Sequence, residues 1–206
     1  MVHFPPNIPR FDSVPLVAFD YIEPQLAVRD LSWKLTSWVK VEEVERRLTQ
    51  FQWLTHVVRQ PAGCTSFIGD MACAYLLSVE SALQHLREEA DPKGSDSWLV
   101  QQPAYDLSFR TLRTLRHLEA HVESRGIAAQ HTRTVTTRFA SGTDCGQTIA
   151  WFWPPIQLGA FTRLIHPKIS VAELDRANAL LDSEPICALM QSCTRQLVTL
   201  FRAADL

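Results

Sequence analysis

Glycine is scarce in this chain, with seven in 206 residues. Neither G-x-G-x-x-G nor G-x-x-x-x-G-K occurs, which excludes the usual glycine-built phosphate cradles. Cysteine is limited to Cys64, Cys73, Cys145, Cys187 and Cys193. An odd number with no C-x-x-C pair argues against a disulfide framework or a zinc ribbon, and for reduced thiols. Long apolar runs are missing too. The best, Met71 to Val79, contains Ser78 and falls far short of the roughly 20 residues that a bilayer span needs. The N-terminus, MVHFPPNIPRF, has no basic segment followed by an apolar one, so a signal peptide is not expected. These absences together lead to the expectation of a cytoplasmic protein with no membrane contact. Charge of one sign is also absent. Twenty Lys and Arg stand against 22 Asp and Glu, a net −2, which excludes a surface coated in positive charge.

What is present is core-forming. Hydrophobic residues make up 46%, with 6 Trp and 10 Phe, and a disordered chain is ruled out. The length suits a single domain over 1–206. Residues 1–24 hold Pro5, Pro6, Pro9, Pro15 and Pro24, which deny a helix and predict an extended arm laid over the domain. Three long helices are expected over 25–124. In the first, Leu31, Leu35, Trp38, Val41, Val44, Leu48, Phe51, Leu54 and Val58 recur at helical spacing, as one helix or as two broken near Val39–Val41. Trp33, Trp38 and Trp53 are expected to serve packing. The second runs from about Ser66 to Glu89, with its terminal Glu80, His85, Glu88 and Glu89 expected on a solvated face. A polar turn over 90–97 follows. The third covers about Ala104 to Ser124 and ends at Gly126.

The period then changes to two. Val135, Thr137 and Phe139 alternate in one segment, and Ile149, Trp151 and Trp153 in the next. With SGTDCG between them, they predict a β-hairpin over about 132–153. Trp151, Phe152 and Trp153 are expected to pack on helices rather than to stack bases. Two C-terminal helices are expected over 170–203. Ser170 and Glu173 have the spacing of a capping box, and Pro185 suits the first turn of the last helix. The fold class expected is mainly α: an up-and-down helical bundle with a β-hairpin insertion and a proline-rich N-terminal arm.

The third helix, AYDLSFRTLRTLRHLEAHVES, carries the candidate chemistry. Leu107, Leu112, Leu115, Leu118 and Val122 share one arc, expected to face the core. Arg110, Arg113, His117 and His121 share the opposite arc, and Arg116 flanks them. Arginine offers a permanently charged fork that fits phosphate. Histidine titrates near neutrality and can carry a proton. The two types suffice for metal-free RNA cleavage, one acting on the 2′-hydroxyl and the other neutralising charge on the phosphate. His117 and His121 also have the spacing of two metal ligands on a helix. No carboxylate is placed as a third ligand and the arginines repel a cation, so neither a metal nor another cofactor is expected.

Within this helix, Arg116-His117-Leu118-Glu119-Ala120-His121 resembles the motif of HEPN domains, an Arg followed after four to six residues by a His. Arg110–His117 and Arg125–His131 have similar spacing. Arg116–His121 is favoured because it lies within one amphipathic helix, after two long ones, with a polar residue behind the Arg. The resemblance covers the architecture of about 26–124 and six residues of motif. It implies an α-helical bundle that acts as a metal-independent endoribonuclease, with two motifs meeting at a homodimer interface in one composite site. It further implies that Arg116 binds phosphate, that His121 orients the 2′-hydroxyl or transfers its proton, and that His117 gives polar support. Asparagine or aspartate is more usual at the His117 position. Arg110 and Arg113 are added here as phosphate-binding candidates. An RNA substrate, an antitoxin protein as partner, and a role in toxin–antitoxin or phage-defence systems are implied only by the resemblance. The alternative from another class is a non-catalytic helical module that binds RNA or protein through its basic face or its tryptophans. Residues 110–138 hold six arginines against two glutamates. The net charge of −2 therefore averages a basic segment and an acidic remainder.

Overall fold

The computed structural model describes residues 34–57, 65–90, 97–121, 132–138, 144–156 and 170–206. Among them are six helices and one hairpin: α1 (Leu35–Val57), α2 (Thr65–Ala90), α3 (Ser97–Gln101), α4 (Leu107–His121), β1 (Thr132–Arg138), β2 (Asp144–Trp151), α5 (Val171–Ser183) and α6 (Ile186–Ala203). The chain is mainly α, a helical bundle with a two-stranded antiparallel hairpin, as expected. Helix α1 is continuous, with no break near Val39–Val41. The expected proline-rich arm over 1–24 and residues 58–64 and 122–131 lie outside the described residues. Among the described residues no helix is long and apolar enough to cross a membrane.

The bundle follows from the apolar stripes. Val41, Val44, Leu48 and Phe51 of α1 are buried against Tyr75, Leu76, Val79, Leu83 and Leu86 of α2 and against α6. Polar ties set the direction. Ser37 Oγ lies 3.1 Å from His85 Nε2, and Lys40 Nζ donates to Ser81 Oγ at 2.7 Å, so α1 and α2 run antiparallel. His85 stacks on Phe201 of α6, with ring centroids 6.1 Å apart. It is therefore an inter-helix residue and not part of a solvated face. Lower down, Tyr75 Oη donates to the Met190 carbonyl at 2.7 Å and meets Thr194 Oγ1 at 2.9 Å. Burial raises the Tyr75 hydroxyl pKa well above its ordinary value and pushes the Cys193 thiol beside it up to about 12.

One acid sits inside this frame. Glu45 of α1 is only 8% exposed, and its Oε1 has no hydrogen-bond partner. Burial, helped by the neighbouring Glu42 charge, pushes its pKa up to about 8. Helix α6 packs on α1, and its Gln191 has an enclosed Nε2 without a partner.

The hairpin pairs Thr132 with Trp151, Arg133 with Ala150 and Thr134 with Ile149. Trp151 and Trp153 are buried as expected, whereas Ile149, placed on the same face by the alternation, is exposed. The ladder also ends at Trp151, so Phe152 and Trp153 lie beyond it, and both are buried. Packing on helices, not base stacking, occupies these rings. Arg133 clamps the base of the hairpin. Its guanidinium lies 4.5 Å from the centre of the Phe152 ring, donates to the Asp182 carbonyl of α5 at 2.6 Å, and pairs with the Asp182 carboxylate.

Candidate functional site

Helix α4 is entered through a capped turn. Asp106 Oδ1 accepts from the Phe109 N–H at 3.1 Å, and its Oδ2 accepts from Gln196 Nε2 of α6 at 2.5 Å. One aspartate therefore satisfies one of the orphaned N–H groups of α4 and ties the helix to its neighbour. Its buried stripe is Phe109, Leu112 and Leu115, with Thr111 beside it. Leu107, expected in the core arc, is only half-buried. Leu118 and Val122 lie outside the residues whose side chains are described.

The five candidate residues do not share one open face. Arg110 is exposed, and its Nη1 lies 2.8 Å from Glu173 Oε1 of α5. Arg113 is not on the solvent side. Its side chain is 19% exposed, donates to Tyr105 Oη at 2.7 Å, and lies 3.8 Å from Glu80 Oε2 of α2. Glu80 also faces Arg87, at 3.9 Å. Glu80 was expected on a solvated face, yet it sits between two arginines in the seam where α2 packs on α4. The reason lies in the angles. At 100° per residue Arg113 falls only 40° from Phe109, close enough to the apolar stripe to be drawn into the seam.

Arg116 is 20° from Phe109 on the same projection and is half-buried. Its Nε is enclosed without a hydrogen-bond acceptor, and among the described residues no ion pair to its guanidinium is formed. His117 and His121 occupy the last two turns of α4. Their side chains lie outside the described residues. On the helix backbone they fall on the stripe of Arg110 and Thr114, not on that of Arg116.

Two features escaped the periodicity. Glu173 was read as the far half of a capping box. Ser170 does cap α5, its Oγ accepting from Glu173 N at 3.2 Å, but the Glu173 carboxylate reaches Arg110 on the next helix. Thr111 was read as neither core nor site. It is 1% exposed, and its hydroxyl has no partner. Both line a small cleft between α4 and α5. A threonine beside the leucine arc was the only signal available. Set against known proteins, the chain matches no family model, no curated protein and no solved structure.

Proposed function

We propose that this protein is a HEPN-like, metal-independent endoribonuclease that works as a homodimer, with Arg116 and His121 of each copy contributing to one composite site. The observation that supports the reading best is Arg116. It is the arginine of the motif, it stands five residues before His121 on a late bundle helix, and its enclosed Nε has no acceptor. Arg110 and Arg113, by contrast, are engaged with Glu173, Glu80 and Tyr105. A half-buried arginine that forms no ion pair among the described residues keeps its charge available to a phosphate at the exposed end of its guanidinium.

In this mechanism His121 takes the proton of the 2′-hydroxyl or orients it. The 2′-oxygen attacks the adjacent phosphorus, the bond to the 5′-oxygen breaks, and that oxygen leaves with a proton. The products are a 2′,3′-cyclic phosphate and a 5′-hydroxyl. Arg116 neutralises charge that develops on the non-bridging oxygens, and His117 supports it. The test is RNA cleavage in EDTA by the purified chain. Wild type is expected to cut a mixed RNA pool, and His121→Ala is expected to lose at least about a hundredfold in rate, the scale of one acid–base group, with an unchanged circular dichroism spectrum. Absence of EDTA-resistant cleavage in the wild type sinks the enzymatic reading.

The second reading, a non-catalytic interaction module, draws on a different observation. Leu35, Val39 and Trp53 are exposed along α1, on the side away from the apolar stripe. Intact RNA in that assay, together with protein binding that is lost in Trp53→Ala, would favour it.

A further inference from the structure

One stripe of α1, made by Val41, Val44, Leu48 and Phe51, is spent on the core. A second stripe runs along the other side of the helix. Leu35, Val39, Glu42, Arg46, Thr49 and Trp53 follow one another at intervals of four, three, four, three and four. At 100° per residue they fall within an arc of about 80°. Thr49 is half-buried and the other five are exposed. Leu35, Val39 and Trp53 keep 76%, 48% and 44% of their surface in water. Alternating intervals of three and four are the spacing of a coiled-coil seam, and among the described residues no helix covers this one.

The stripe is arranged symmetrically about position 44. Leu35 and Trp53 are its apolar ends, about 27 Å apart along the axis at 1.5 Å per residue. Val39 and Thr49 come next, and Glu42 and Arg46 flank the middle. Laid antiparallel across position 44, a second α1 sets Leu35 against Trp53, Val39 against Thr49 and Glu42 against Arg46. Each contact then occurs twice, as an isologous interface requires. A parallel copy would instead set glutamate on glutamate and arginine on arginine. The local charges favour the antiparallel partner. Glu43 pairs with both Arg46 and Arg47, one carboxylate for two guanidinium groups, while among the described residues Glu42 forms no ion pair. The second copy gives Glu42 a cation and Arg46 a carboxylate of its own.

We infer that this stripe of α1 docks a second copy of the chain, the two helices antiparallel and Glu42 of each facing Arg46 of the other. The inference rests on the exposed α1 residues of the second reading above and not on RNA cleavage. Helix α4, which carries Arg116, packs on α2, α5 and α6. The apolar ends supply the attraction, and the two central ion pairs set direction and register.

The test is sedimentation equilibrium of the full chain. Wild type is expected to dimerise with a Kd on the order of micromolar, in keeping with a contact of one helix per copy. Trp53→Ala is expected to weaken the dimer at least about thirtyfold, the scale of one tryptophan hot spot. Glu42→Arg and Arg46→Glu each turn both central pairs from attraction to repulsion, and each is expected to weaken it about tenfold. Mixed in equal amounts, these two variants meet with opposite charges and are expected to recover the wild-type affinity. A folding defect in either could not produce that gain. A monomer at about a hundred times the expected Kd, a dimer indifferent to Trp53→Ala, or a mixture no tighter than its components overturns the inference. If the chain stays monomeric yet binds another protein through Trp53, the second reading stands and the self-contact falls. If it dimerises without Trp53 and cuts RNA in EDTA, the endoribonuclease reading stands and the α1 seam falls. A dimer that needs Trp53 while RNA stays intact upholds the seam and removes the enzymatic reading.

Discussion

Two helix seams of this bundle treat their hydroxyls in opposite ways. Where α2 meets α6, Tyr75 donates to the Met190 carbonyl and meets Thr194, and Thr194 also bonds that carbonyl. Every hydroxyl there has a partner, with Cys193 buried against them. Where α4 meets α5, the Thr111 hydroxyl has none, and a cleft remains beside an ion pair open to water. The first seam is complete without help from outside. The second keeps one bond unmet, at the cost of an uncompensated hydroxyl. Hydroxyl satisfaction is thus distributed unevenly between seams of similar helices.

The comparison can be broken most severely in the closed half. Phe201 is fully buried and stacks with His85. Phe201→Ala is expected to cost about 3–5 kcal/mol in denaturant unfolding, because the void cannot be refilled by rigid neighbours. A loss below 1 kcal/mol would show that the closed half is loosely packed after all. Next in size is Glu45. The unfolded chain releases its proton near 4.5, the folded chain near 8. Between those values the folded state holds a proton that the unfolded state has lost, so the Glu45 contribution to stability falls as pH rises from about 5 to 8, then levels off. Glu45→Gln is expected to flatten that slope in thermal melts, and an unchanged slope would remove the burial argument. The smallest effects give the sharpest contrast. Tyr75→Phe is expected to cost about 1–2 kcal/mol, since it strips a satisfied hydrogen bond from the closed seam. Thr111→Val is expected to cost nothing or to stabilise slightly, since it removes an unsatisfied hydroxyl. Equal losses for the two would erase the distinction between the seams.

Much of the fold was legible in the sequence because it depends on local periodicity. The expected helix from Ser66 to Glu89 is α2 to within a residue at each end. The Ser170 cap and the start of the last helix after Pro185 stand as the spacing implied. Helix α3 was missed because five residues are too few to show a period. The third helix begins at Leu107 rather than Ala104 because Asp106 takes the capping role. The candidate site was less legible. Periodicity assigned Arg113 and Glu80 to solvent, but each has a partner on another helix, and sequence spacing within one helix carries no information about its neighbour. The same blindness hid the second role of Glu173 and the empty hand of Thr111.

The clamp at Arg133 has a mechanical consequence. Five consecutive residues of β1, Thr134 to Arg138, are paired to β2 beyond it, which at about 3.4 Å per residue makes an arm of roughly 17 Å. That arm is held at its root by the Arg133 guanidinium, between the Phe152 ring and Asp182, and by Trp151 and Trp153 buried in the core. A change at Asp182 would therefore loosen one side of that root while Trp151 and Trp153 keep the hairpin seated on the bundle.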